Sequence, residues 1–103
     1  MTLIMTNDNF EEIVKEGVTL IDFWAEWCGP CQMMLPLIDQ FADKMKDKAK
    51  VAKVNVDENQ ELARQFRIMS IPTLLIFKDW ELVETLVWVQ DMIRLDEAVW
   101  KYL

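Results

Sequence analysis

The chain has 103 residues, 52% apolar and 11% aromatic, with 18 acidic against 11 basic side chains, a formal charge of −7 and no histidine. That length fits one domain over residues 1–103, with enough apolar content to fold without a structural metal or a staple. The acidic balance argues against nucleic acid or an anionic membrane as partner, and the missing histidine excludes Cys–His nucleophile pairs, histidine acid–base work and histidine metal sites.

The opening "MTLIMTNDNF" has neither the basic segment nor the sustained apolar stretch of a secretory leader. No apolar run approaches the roughly 18 residues that cross a bilayer, so a reducing cytoplasm is the expected location. Residues 2 to 5 are expected to form a short edge strand. "NDNFEEIVKEG" places Asp8 three residues before Glu11, with Phe10, Ile13 and Val14 at helical spacing. It predicts a helix capped by Asp8 and ended by Gly17. "VTLIDFWA" is nearly continuous in apolar residues, as in a central strand covered on both faces. Met34, Leu37, Ile38, Phe41, Ala42 and Met45 then trace a helix stripe, with Pro36 expected to bend it.

"AKVAKVNVD" alternates as a strand, and "ENQELARQF" reads as a short helix with Leu62, Ala63 and Phe66 on one side. "TLLIF" and "LVETLVWV" suggest a hairpin joined at Lys78-Asp79-Trp80-Glu81. Leu95, Ala98, Val99 and Tyr102 mark one face of a final helix. The order predicts an α/β fold, a central mixed five-stranded sheet flanked by four helices, with helical crossovers favouring parallel pairing early and the hairpin supplying an antiparallel pair late.

Both cysteines lie in "AEWCGPCQMML", at the transition from the central strand to the long helix. Cys28 would sit at the helix N-terminus, where free N–H groups and the dipole stabilise a thiolate, the species that attacks a disulfide. Cys31, one turn later, would be close enough to resolve the resulting mixed disulfide. Gly29 and Pro30 fill the first turn, which tolerates proline. A zinc site would need about four ligands and finds two. A purely structural disulfide would close too small a loop to matter, and two inert thiols are the third alternative.

"DFWAEWCGPC", with "VAKVNVDEN" and "SIPTLLIF" following in order, resembles the thioredoxin family across essentially the whole chain. The resemblance implies a protein-disulfide reductase with Cys28 attacking and Cys31 resolving. No cofactor would be bound beyond the cysteine pair, and disulfide-containing proteins and a flavin-dependent reductase would be its partners; we expect a monomer. It implies that Asp22, a carboxylate costly to bury without partners, exchanges protons with the resolving thiol, and that Lys53 lies beside it. A merely tolerated acid and an ordinary strand lysine are the alternatives. It also implies a cis bond before Pro72, with the Ile71 backbone pairing with an extended substrate; from the residues alone Pro72 would be a proline at a strand start. Trp27 is expected at the surface beside Cys28, or else as a core aromatic. Trp24 leans toward the core. Met34 belongs to the core, and Met33 is undecided.

Three positions depart from the family pattern. Gln32 stands where a cation commonly follows the second cysteine. Trp80 occupies a turn where glycine is usual, because tight hairpins need φ > 0; a longer loop or a different turn is therefore expected. Trp88 replaces a glycine beside the docking groove. There it would narrow the groove, anchor a partner, or fold back on the last helix. A rival function follows: an interaction module that binds one dedicated partner through a Trp27–Trp88 rim with little turnover. Net disulfide formation is a third possibility and would need a more oxidising pair.

Overall fold

Val18–Trp24 is buried along all but its last residue. Burial on both faces requires layers packed on both sides of the sheet, and this strand is the middle one of five. The computed structural model describes residues 1–103. In chain order it contains β1 (Leu3–Ile4), α1 (Phe10–Val14), β2 (Val18–Trp24), α2 (Gly29–Lys44), β3 (Lys50–Asn55), α3 (Gln60–Gln65), β4 (Thr73–Lys78), β5 (Glu81–Val87) and α4 (Met92–Trp100). The sheet order is β1-β3-β2-β4-β5. β3 runs parallel to β1 and β2, while β4 is antiparallel to both β2 and β5. The mixed five-stranded sheet with four helices is the expected architecture, and no helix is long and apolar enough to cross a membrane.

Alternation along β2 divides the core. Val18 and Leu20 face a cluster built with Met34, Ile38 and Phe41 of α2 and Leu95, Ala98 and Val99 of α4. Ile21 and Phe23 face the opposite cluster, which holds Phe10 and Val14 of α1 and Leu62 of α3. Phe10, Phe66 and Phe77 form a triangle there, with ring centroids 5.3 to 5.5 Å apart and tilted or edge-on planes. Such geometry adds about 0.5–1.5 kcal/mol per pair to simple burial. The α2 stripe is buried at Met34, Ile38, Phe41, Ala42 and Met45, whereas Met33 is exposed. Pro36 lies inside α2.

Several local expectations need correction. The first strand pairs over only Leu3–Ile4. Asp8 does not cap α1: the N-cap is Asn9, which has no side-chain capping bond because its Oδ1 accepts from the Thr6 N–H at 2.7 Å. The helix ends at Val14, before Gly17, which turns the chain at φ +75°. Tyr102 lies beyond the end of α4, packed against the core, and its hydroxyl donates to Glu84 at 2.8 Å.

The hairpin is the larger surprise. β4 and β5 are joined by Asp79 and Trp80 alone, at φ +46° and +77°, the positive values that a two-residue I′ turn demands. The loop is neither lengthened nor changed in kind; the tryptophan adopts the glycine-like conformation. That costs about 1–2 kcal/mol. Trp80 is 52% exposed, and the covered half of its indole, on the order of 100 Å², offsets the cost by about 2.5 kcal/mol. The turn is also tied down. Asp79 Oδ1 accepts from the Gly17 N–H at 2.7 Å, the Asp79 N–H donates to Gly17 O, and the Trp80 N–H donates to Val14 O.

Phe77 is 3% exposed and touches both other rings of the triangle. Phe77→Ala should therefore lower unfolding free energy by about 3–5 kcal/mol, read from urea denaturation, and Phe66→Ala, at a half-buried site, by clearly less.

Candidate active site

The end of β2 and the start of α2 are separated by four residues, and Cys28 is the last of them. Its backbone is extended (φ −91°, ψ 107°), as an N-cap requires, and its sulfur accepts from the Cys31 N–H at 3.2 Å. The thiol position thus takes the place of a capping oxygen, against one of the helix's free amides. Pro30 has no N–H to leave unpaired in that turn. A Cβ on Gly29 would meet nothing within 4 Å, so this glycine leaves open surface next to the sulfur and relieves no clash. Cys28 and Cys31 form a disulfide, with Cα atoms 5.2 Å apart. Cys31 is fully buried and Cys28 is 5% exposed. That small exposed face opens into a groove of about 550 Å³.

Asp22 lies one strand-repeat before Trp24, on the sheet face that α2 covers, as alternation with Leu20 dictates. It is fully buried, and neither carboxylate oxygen has a hydrogen-bond partner. Burial pushes its pKa up from 3.8 to about 7, and the Lys53 charge opposes that rise only in part. Lys53 is the registered neighbour of Asp22 on β3. It is half-buried, with its ammonium 5.5 Å from the centre of the Trp24 ring. The lysine head is therefore held over an aromatic face instead of projecting freely into water. Trp24 is half-buried against the small cluster of Ala25, Cys28 and Cys31.

Across the groove, the Ile71–Pro72 peptide bond is cis. Ile71 O lies 3.8 Å from Cys28 Sγ, while neither the N–H nor the carbonyl of Ile71 takes a backbone partner. Pro72 is buried, and its carbonyl accepts from the Trp88 N–H at 2.9 Å. Trp88 adopts φ +82° and is 52% exposed. It lines the groove. Trp27 is 71% exposed, and its indole N–H donates to Asp57 at 2.9 Å. Gln32 donates to the Glu26 carbonyl at 3.1 Å, so the position where a cation is usual ties the loop before Cys28 to the helix.

The sequence did not mark Asp57 or the groove residues Val56, Ile68 and Met69, and it placed Ala63 only on a helix face. Met69 stands two residues before Ile71, close enough to the Ser-Ile-Pro motif to have been suspected. Asp57 gave no signal, because its role depends on how the loop after β3 meets the loop after β2.

Comparison with known proteins agrees with this arrangement. The Thioredoxin family model matches residues 1–99. The thioredoxin of Bacillus subtilis is 49% identical over 98 residues, covering 95% of this chain and 94% of that one. The thioredoxin of Staphylococcus haemolyticus is 46% identical over 99 residues, covering 96% and 95%. A solved mutant thioredoxin from Halobacterium salinarum NRC-1 superposes with a TM-score of 0.91 at 38% identity, covering 98% of this chain and 89% of that one. With the family model spanning nearly every residue and the cysteine pair at the strand-to-helix junction, the chain belongs to the thioredoxin family and is a dithiol–disulfide oxidoreductase.

Proposed function

We propose that this domain, residues 1–103, works as a monomeric cytoplasmic reductase of disulfides in other proteins, with Cys28 as nucleophile and Cys31 as resolving thiol. The observation that carries the assignment is the asymmetry of the pair: the Cys28 sulfur caps α2 and faces the groove, while Cys31 is sealed beneath it. In the dithiol form the Cys28 thiolate attacks one sulfur of a substrate disulfide, forming a mixed disulfide and expelling the other sulfur as a thiolate. Cys31 then gives up its proton, attacks the Cys28 sulfur and releases the second thiol. The domain is left with the Cys28–Cys31 disulfide, and the substrate has gained two electrons, one proton from Cys31 and one from solvent. A flavin-dependent reductase restores the dithiol.

Asp22 receives and returns the Cys31 proton in this reading. A buried carboxyl with a pKa near 7 changes charge in the pH range where a thiol must be deprotonated. Lys53 limits the rise of that pKa. The free N–H and carbonyl of Ile71 suit pairing with an extended segment on either side of its cysteine, and Trp27, Pro72 and Trp88 bound that segment. The rival, a binding module with little turnover, differs in one measurable respect. Insulin reduction well above the dithiothreitol background supports the enzyme, and turnover at background would favour the module.

Cys28→Ser should abolish insulin reduction; retained turnover would remove Cys28 from the nucleophile's role. Cys31→Ser should accumulate mixed disulfides through Cys28, visible by intact mass as adducts that dithiothreitol releases. Asp22 also makes a stability prediction. Because its folded pKa lies above the unfolded value, the native state keeps a proton that the unfolded chain loses between about pH 4 and 7. Its contribution is therefore fully present below pH 4 and declines as pH rises to 7. Relative to the wild type, Asp22→Asn should gain stability across that window, on the order of 2–4 kcal/mol by pH 8, measured by urea unfolding at each pH. A flat difference would contradict the buried-acid account.

A further inference from the structure

We propose that Arg64 and Arg67 select among disulfide substrates, favouring segments that carry a carboxylate near the reactive cysteine; this rests on the reductase reading above. The groove at Cys28 does not stop at its apolar walls. A second cavity of about 330 Å³ continues from it, sharing Ala63, Ile68 and Met69 and ending at Arg64 and Arg67. No carboxylate lines either cavity, although the chain holds 18 acidic residues. The groove itself offers apolar and aromatic surface with Ser70 as its one hydroxyl.

Both arginines are exposed, and neither pairs with an acid of the chain. The other basic residues are largely engaged. Lys15, Lys44, Arg94 and Lys101 form ion pairs, Lys50 donates to the carbonyls of Ile13 and Glu16, and Lys48 and Lys53 lie over tryptophan rings. Lys46 and Lys78 are free, but neither lines the cysteine groove or its continuation. Arg64 sits in the last turn of α3, and Arg67 follows it at φ +53°. The occupant that fits is an extended segment whose cysteine lies at Cys28, whose neighbouring apolar side chain packs along Ile68 and Met69, and whose acidic side chain reaches the guanidinium pair. Arginine suits this task because its planar fork binds a carboxylate through two parallel hydrogen bonds.

The net charge of −7 pulls the other way, since it would favour basic substrates. At about 0.1 M ionic strength, charges more than roughly 10 Å away are largely screened, leaving the local pair dominant. The two effects therefore predict opposite preferences.

The test uses homodimeric peptide disulfides with one cysteine per strand, flanked by leucine and then by Glu, Gln or Lys on either side. Reduction is followed by chromatography with dithiothreitol as electron source. On one side of the cysteine, kcat/KM should be roughly three- to tenfold higher for Glu than for Lys at 0.1 M salt, and the ratio should approach one near 1 M salt. In Arg64→Gln combined with Arg67→Asn, where asparagine tolerates the left-handed backbone, the Glu preference should vanish while the Gln peptide is reduced at the wild-type rate. Arg64→Gln alone should lower the ratio part of the way. Lys preferred at both positions, no difference between Glu and Lys, or a Glu preference that survives the double variant would each overturn the proposal while the reductase reading stands. If wild-type protein reduces no peptide and no insulin, the reductase reading has failed and this proposal falls with it.

Discussion

Everything at the site depends on where β2 stops. Its side chains are held from both sides, by α2 and α4 on one face and α1 and α3 on the other, so the strand cannot slide without exchanging its two apolar faces. Its carboxyl end therefore fixes the start of α2, and with it the place where free amides meet the Cys28 sulfur. The same register sets Asp22 opposite Lys53 on β3 and Leu74 on β4. One pairing decides both the position of the sulfur and the burial of the acid behind it.

The two polar groups at the centre are of opposite kinds. The sulfur is stabilised by local geometry that any helix start provides. The carboxyl is destabilised by its surroundings, since burial raises its pKa and the lysine charge only tempers the rise. Burying a group that titrates near neutrality lowers the stability of the core around it as pH rises.

Much of this was legible in the residues. The nearly continuous apolar segment Val18–Trp24, broken only by Thr19 and Asp22, pointed to a central strand, and the α2 stripe had one consistent period. Both signals come from burial, which leaves a period in the sequence. What was not legible depended on which polar groups pair, whether between near neighbours or between distant loops. Asp8 looked like a cap because its spacing to Glu11 was right, but Asn9 had another partner in Thr6. The bond between Trp27 and Asp57 joins two loops that no periodicity connects. The turn at Asp79-Trp80 misled for a different reason. Propensity disfavours tryptophan at φ > 0, yet burial of half the indole and the ties to Gly17 and Val14 outweigh that preference.

Arg67, Trp80 and Trp88 all occupy left-handed backbone, in a chain with glycine only at positions 17 and 29. At such bends a glycine would contribute nothing beyond the path of the chain. Here each bend also carries a large side chain outward while the loop keeps its minimal length. At Trp88 the amide is held by Pro72 O, so the indole is mounted on the same short bracket as the Ile71 backbone. The Trp88 indole and the Ile71–Pro72 segment beside Cys28 are thereby tied together through one backbone hydrogen bond.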